Sequence, residues 1–141
     1  MAKLLQRLSD ASRSGVYRAP HERDILDALR GSDLGLARID LAGAAGKAAL
    51  LERIARALSF PEWFGGNWDA LEECLGDLAQ SGTRGQVLLF ERARGLAAAE
   101  RGELLDVLAA AAADWKARGR PFFAVFVDAA APLPDLYQPR R

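Results

Sequence analysis

Cysteine, histidine and methionine each occur once in the 141 residues. One cysteine excludes an intramolecular disulfide. One cysteine with one histidine is too thin a set of soft ligands for a structural zinc cluster. Excess charge of either sign is missing too: 19 Lys plus Arg balance 19 Asp plus Glu. Without a global basic field the chain is not drawn to nucleic acid or to an anionic membrane surface. No apolar run approaches the roughly 20 residues of a membrane span. The opening Met1-Ala2-Lys3-Leu4-Leu5-Gln6-Arg7 lacks a long apolar core, so no signal peptide is expected and the cytoplasm is the expected compartment. What is present is ordinary for one soluble domain with a real core: 50% hydrophobic and 27% charged residues.

The apolar patterning predicts a parallel α/β fold. Leu36 to Leu41 alternates apolar and polar residues, as a strand does. Lys47 to Leu58 carries Leu50, Leu51, Ile54, Ala55 and Leu58 on one helical face. Gln86 to Phe90 and Phe122 to Val127 are continuous apolar runs, typical of strands covered on both faces. Between them, Ala97 to Arg118 has helical composition, with Leu104, Leu105, Leu108, Ala112 and Trp115 directed inward and Gly102 as a candidate break. Gly119 fits the position after this helix, with Pro121 shortly beyond. The order strand–helix–helix–strand–helix–strand argues for a small parallel sheet with crossover helices. Residues 1–34 read as a mixed-charge N-terminal extension of short helices and a turn. In it, Leu4, Leu5 and Leu8 share a helix face, Gly15 to Arg18 is extended, and Asp24 to Leu29 is helical. The domain proper runs over 35–128, and 129–141 is expected to be a loosely held tail.

The stretch from Phe60 to Leu78 stands apart. Residues 61–80 hold five acids and no bases. At roughly 100° per residue from Trp68, the residues Trp68, Leu71, Cys74, Leu75 and Leu78 share an arc of about 120°. Asp69, Glu72, Glu73 and Asp77 occupy the other side. One face packs and the other presents four carboxylates. Asn67 is a suitable N-cap, and Gly65-Gly66 lets the chain turn into it. A solvated helix face explains acids on its own, and Asp69 is favoured by the macrodipole. The absence of Lys or Arg at i+4 is what an ordinary solvated face does not explain.

The run Pro61-Glu62, Trp63-Phe64, Gly65, Asn67, Asp69-Ala70-Leu71, Glu73 and Cys74-Leu75 resembles the barstar family, intracellular protein inhibitors of secreted bacterial ribonucleases. With weaker matches on both sides the resemblance covers about Leu36 to Asp128. It implies a three-stranded parallel sheet and a helix that plugs an enzyme's active site. It also implies an aromatic contact at Trp63 and an inhibitory acid at Asp69. Glu73 stands where the family has the aspartate that enters the ribonuclease site. Two further positions depart from the family: Glu72 replaces a tryptophan, and Arg118 stands where the family has a second glutamate, while Asp114 matches an acidic contact position. The net charge is neutral where barstar is markedly acidic.

Enzyme chemistry finds little support. His21 lies in the extension beside Pro20. Cys74 is on the apolar arc and reads as a small buried hydrophobe. Glu72 and Glu73 are adjacent, so their side chains diverge by about 100°, poor geometry for a shared acid–base pair. A phosphate at the helix N-terminus would be opposed by the acids that follow. The expected function is therefore not catalytic. The resemblance implies instead that the chain binds and blocks a basic nuclease, a ribonuclease toxin, in the manner of an antitoxin or immunity protein, a role that requires no metal or cofactor. The expected contact residues are Trp63, Gly65, Asn67, Asp69, Glu72, Glu73, Asp77, Asp114 and Arg118. The other reading is an interaction module of the same fold with a partner that is no nuclease.

Overall fold

The computed structural model describes residues 2–44, 46–60, 67–78, 83–93, 96–127 and 133–136. In chain order the elements are α1 (Ala2–Leu8), a 3₁₀ turn (Ala11–Arg13), β1 (Gly15–Ala19), α2 (Arg23–Leu29), β2 (Gly35–Asp40) and α3 (Gly46–Leu58). They continue with α4 (Trp68–Asp77), β3 (Gln86–Glu91), α5 (Ala98–Ala117) and β4 (Phe122–Val127). Every strand pairing is parallel, in the order β1-β4-β3-β2. The predicted β3–β4 neighbourhood is present, with Val87 opposite Phe123 and Leu89 opposite Val125.

The sheet has four strands, not the three expected. The fourth is β1, from the segment read as an extension, and it lies along the free edge of β4. The reason is visible in β3 and β4. Side chains of a strand alternate between faces, yet every residue from Gln86 to Phe90 and from Phe122 to Val127 is buried. Two apolar faces must therefore be covered. Leu88, Phe90, Phe122, Ala124 and Phe126 point to the core shared with α3, α4 and α5. Val87, Leu89, Phe123 and Val125 point the other way, to a second core with Leu8 of α1, Tyr17 of β1 and Ile25 and Leu29 of α2. Thus the N-terminal residues dock behind the sheet. Stacked rings mark both cores, Phe90 on Phe126 with centroids 4.6 Å apart and Tyr17 on Phe123 at 5.6 Å.

Part of the tail is also tied down. Arg18 donates its N–H to the Pro134 carbonyl at 2.9 Å, and Leu136 returns one to the Arg18 carbonyl at 2.8 Å. Leu136 is fully buried in the second core. The Arg7 guanidinium donates to its carbonyl. The rest of the expected loose tail, 129–132 and 137–141, lies outside the described residues. At the opposite end of the sheet, ion pairs knit β2 to β3: Arg38 to Glu91 at 2.7 Å, and Arg92 to Asp40. The Arg92 guanidinium, and then the Ala42 N–H, hold the Asp40 carboxyl below its ordinary range.

Helix ends follow the signals expected of them. Gly119 has φ +75°, with the Arg120 N–H bonded to the Trp115 carbonyl at 3.0 Å and the Gly119 N–H to the Lys116 carbonyl at 2.9 Å. That closes α5 in a Schellman motif. Gly102 does not break α5; it sits exposed within a continuous 20-residue helix.

Two predictions follow from this packing. Removing residues 1–34 should leave Val87, Leu89, Phe123 and Val125 without cover, at roughly 1.5–3 kcal/mol per large side chain. Such a chain is expected to lose cooperative urea unfolding. Gly85→Ala should cost about 1–3 kcal/mol. A Cβ there would sit 2.5 Å from Pro121 Cγ and 2.8 Å from its carbonyl oxygen. The same unfolding curves measure it.

Candidate partner-binding groove

Helix α4 is positioned by three features. The Asn67 side chain accepts from the Ala70 N–H at 2.7 Å, the N-cap expected of it. Leu71, Cys74 and Leu75 are buried on the sheet side, with Trp68 and Leu78 half-buried at the margins. Trp115, buried on α5, donates its indole N–H to the Leu75 carbonyl at 3.0 Å. That bond fixes the height of α4 against α5 at one point.

With the apolar arc inward, Asp69, Glu72, Glu73 and Asp77 are all exposed. They and Gly76 form one wall of a groove of about 540 Å³. Asp69 and Asp77 are about 12 Å apart along the helix axis, at 1.5 Å per residue. The other wall is α5, through Ala110, Ala111, Asp114 and Arg118. Among the described residues, none of the four acids of α4 takes part in an ion pair. Asp114 does: Arg118 Nη2 lies 3.0 Å from its Oδ2. Arg118 also donates to the Gly76 carbonyl at 3.3 Å, across the two helices.

The structure brings together six of the nine expected contact residues in this groove. Asn67 is exposed at the start of α4 and serves as its cap. Trp63 and Gly65 lie outside the described residues. Gly76, Ala110 and Ala111 were missed. For Ala110 the signal is helical spacing: Ala110, Asp114 and Arg118 recur every four residues on one stripe of α5. The same i, i+4 spacing pairs Asp114 with Arg118.

The described residues hold no group of three or more His, Cys, Asp or Glu able to hold a metal ion, and no helix among them is long and apolar enough to cross a membrane. Burial pushes the Cys74 thiol up, helped by the carboxylates of Asp77 and Glu73. A buried thiol held in its neutral form is a poor nucleophile.

The model of the family described as Barstar (barnase inhibitor) matches residues 34–127. The chain belongs to the barstar family. A search of curated proteins finds no match to it. Among solved structures it is similar to the ORC2 protein of Aeropyrum pernix in its ADPNP-ADP complexes, at 13% identity with a TM-score of 0.58. That likeness covers 89% of this chain and 39% of the other, so this chain spans well under half of that protein. At such identity the likeness is one of fold. The sequence has no Gly-x-x-x-x-Gly-Lys-Ser/Thr phosphate loop: its one Gly-Lys pair, Gly46-Lys47, is preceded five residues earlier by Leu41 and followed by Ala48.

Two measurements check this account of the site's frame. A thiol reagent should label Cys74 in the native protein only as fast as the protein opens, and at full speed in urea. Cys74→Ala should cost about 1 kcal/mol and leave the surface acids in place. Trp115→Phe keeps an aromatic core but removes the donor to Leu75, so it should cost about 1–3 kcal/mol in denaturant unfolding.

Proposed function

We propose that this chain is a protein inhibitor of a basic nuclease, a ribonuclease toxin, and that α4 supplies the blocking surface. The observation that carries the reading is the set of four carboxylates on α4, none of them in an ion pair among the described residues, in a groove within the segment matched to the barstar family. Carboxylates spaced along a helix can stand in for the phosphates of a nucleic-acid substrate. They would pair with the Arg, Lys and His groups that a nuclease uses to hold those phosphates. Glu73, at the middle of the acidic face, takes the central place, with Asp69 and Asp77 one helical turn to either side and Glu72 beside it. Trp63 and Gly65 belong to the same surface in this reading. The domain from 35 to 128 carries the binding helix, and residues 1–34 support it by adding β1 to the sheet and packing α1 and α2 behind it. The role needs no catalysis, metal or cofactor. The partner and the protein would meet in the cytoplasm.

A second reading keeps the binding surface and changes the partner to a protein that is no nuclease. The pairing of Asp114 with Arg118 favours it, because it removes one acid from the groove and adds a cation.

Capture of partners on the immobilised protein, followed by a nuclease assay on the eluate, separates the two. Ribonuclease activity that is recovered on elution and suppressed by adding the chain back supports inhibition; a captured partner without nuclease activity favours the second reading. Against the purified partner, Glu73→Ala should weaken binding by about 2 kcal/mol or more while leaving unfolding unchanged. Glu73→Gln, which keeps shape and loses charge, should recover little of that. If Glu73→Ala and Asp69→Ala both bind as tightly as the unaltered chain in calorimetry, α4 is not the binding surface.

A further inference from the structure

The groove is not acidic from end to end. It is lined by Asp69, Glu72, Glu73 and Asp77 of α4 and, from α5, by the alanines Ala110 and Ala111, which bring no counter-charge, and by Asp114 and Arg118. Beside Gly76, Arg118 lies 3.0 Å from Asp114 and 3.3 Å from the Gly76 carbonyl. Its side chain is nevertheless 43% exposed, and that of Asp114 47%. A guanidinium has five N–H donors in a planar fork. Two contacts leave donors of Arg118 facing solvent at the groove's mouth. An Asp114 carboxylate already paired with a cation attracts a second one weakly. This end of the groove therefore offers a positive, donor-rich group beside the carboxylate of Asp77, where the rest offers carboxylates alone.

We propose that Arg118 sets partner specificity. It removes Asp114 from the free acids and places a positive charge at one end of the docking surface. The surface then fits a basic protein whose basic patch is bordered by an acidic side chain, and it disfavours one that is basic throughout. Like charges facing each other across an interface cost affinity and slow association, so one arginine can act against the wrong partner. This rests on the reading of α4 as a nuclease-binding surface and names the charge pattern of its partner.

Barnase, the enzyme named in the family's description, is the probe. The resemblance implies a cation opposite position 118, since the family has a glutamate there. Barnase is titrated against the unaltered chain, Arg118→Glu, Arg118→Gln, Asp114→Asn, and Asp114→Asn combined with Arg118→Gln. Thermal unfolding of each variant reports whether loss of the Gly76 contact has disturbed the fold. Arg118→Glu should bind barnase at least tenfold tighter than the unaltered chain at 50 mM salt. The gain should come largely from association rate and shrink as salt rises. Asp114→Asn should lower affinity at least threefold more in the Arg118→Gln background than alone, because only there is Asp114 free. Equal effects in both backgrounds, or an Arg118→Glu protein that is folded yet binds no tighter or not at all, would overturn the proposal. Adding Glu73→Ala to Arg118→Glu keeps the two ideas apart. If it abolishes the gain, α4 is the docking surface; if it changes nothing, barnase has bound elsewhere and the reading of α4 fails, whatever Arg118 does.

Discussion

A parallel sheet is apolar on both faces, and each face must be covered. That constraint orders this molecule. Helices α3, α4 and α5 follow β2 and β3 and cover one face. They leave Val87, Leu89, Phe123 and Val125 on the other. The chain meets the need with its first 34 residues. Strand β1 lies beside β4, while its successor in sequence, β2, lies at the far edge of the sheet. The connection between them must cross the whole back face, and α2 lies in that connection. The position of the acidic helix follows from the same arrangement. Its carboxylates reach solvent because Leu71, Cys74 and Leu75 are committed to the front core.

Local pattern was enough for elements whose signals are local. The runs Gln86–Phe90 and Phe122–Val127, the helical spacing of Leu50, Leu51 and Ile54, the Asn67 cap and the Gly119 stop all lie within a few residues of what they specify. The strand β1 was only partly legible. Its extended character shows in Gly15-Val16-Tyr17-Arg18, but its partner lies more than 100 residues away, with Gly15 opposite Phe123. Nothing in five residues announces that pairing. The clue was indirect: two strands apolar on both faces needed more cover than three helices on one side can supply. The family resemblance could not help, since the matched residues begin at 34.

The acidic face of α4 was legible because a helix repeats its faces by simple spacing. The opposite wall of the groove was not. Which stripe of α5 meets α4 depends on packing: Val107 and Ala111 are buried as well as Leu104, Leu108, Ala112 and Trp115, Leu105 is half-buried, and charged residues from Glu100 to Lys116 are spread around the helix. A helix rich in alanine gives little sign of which face turns outward. The contact of Trp115 with the Leu75 carbonyl chooses the stripe, and with it brings Arg118 against Gly76.

Magnitudes explain how α4 tolerates its own charge. Asp69 with Glu73, and Glu73 with Asp77, are i, i+4 like-charge pairs, each unfavourable by about 0.2–0.5 kcal/mol. Full burial of Leu71 and Leu75 contributes roughly 1.5–3 kcal/mol apiece. Packing therefore outweighs repulsion severalfold, and the helix does not depend on neutralising its acids. Ion pairs elsewhere in the chain bind their carboxylates at home, Glu91 to Arg38 and Asp40 to Arg92. The neutral total thus conceals an uneven distribution: acids paired within the fold at the edge of the sheet, and unpaired on α4. Debye screening over about 8–10 Å makes the local set, not the total, the field that a partner meets at close range. A chain of zero net charge can on this ground present a strongly acidic face. Arg118 then matters out of proportion to its single charge, because it lies within that short range of the acids at the C-terminal end of α4.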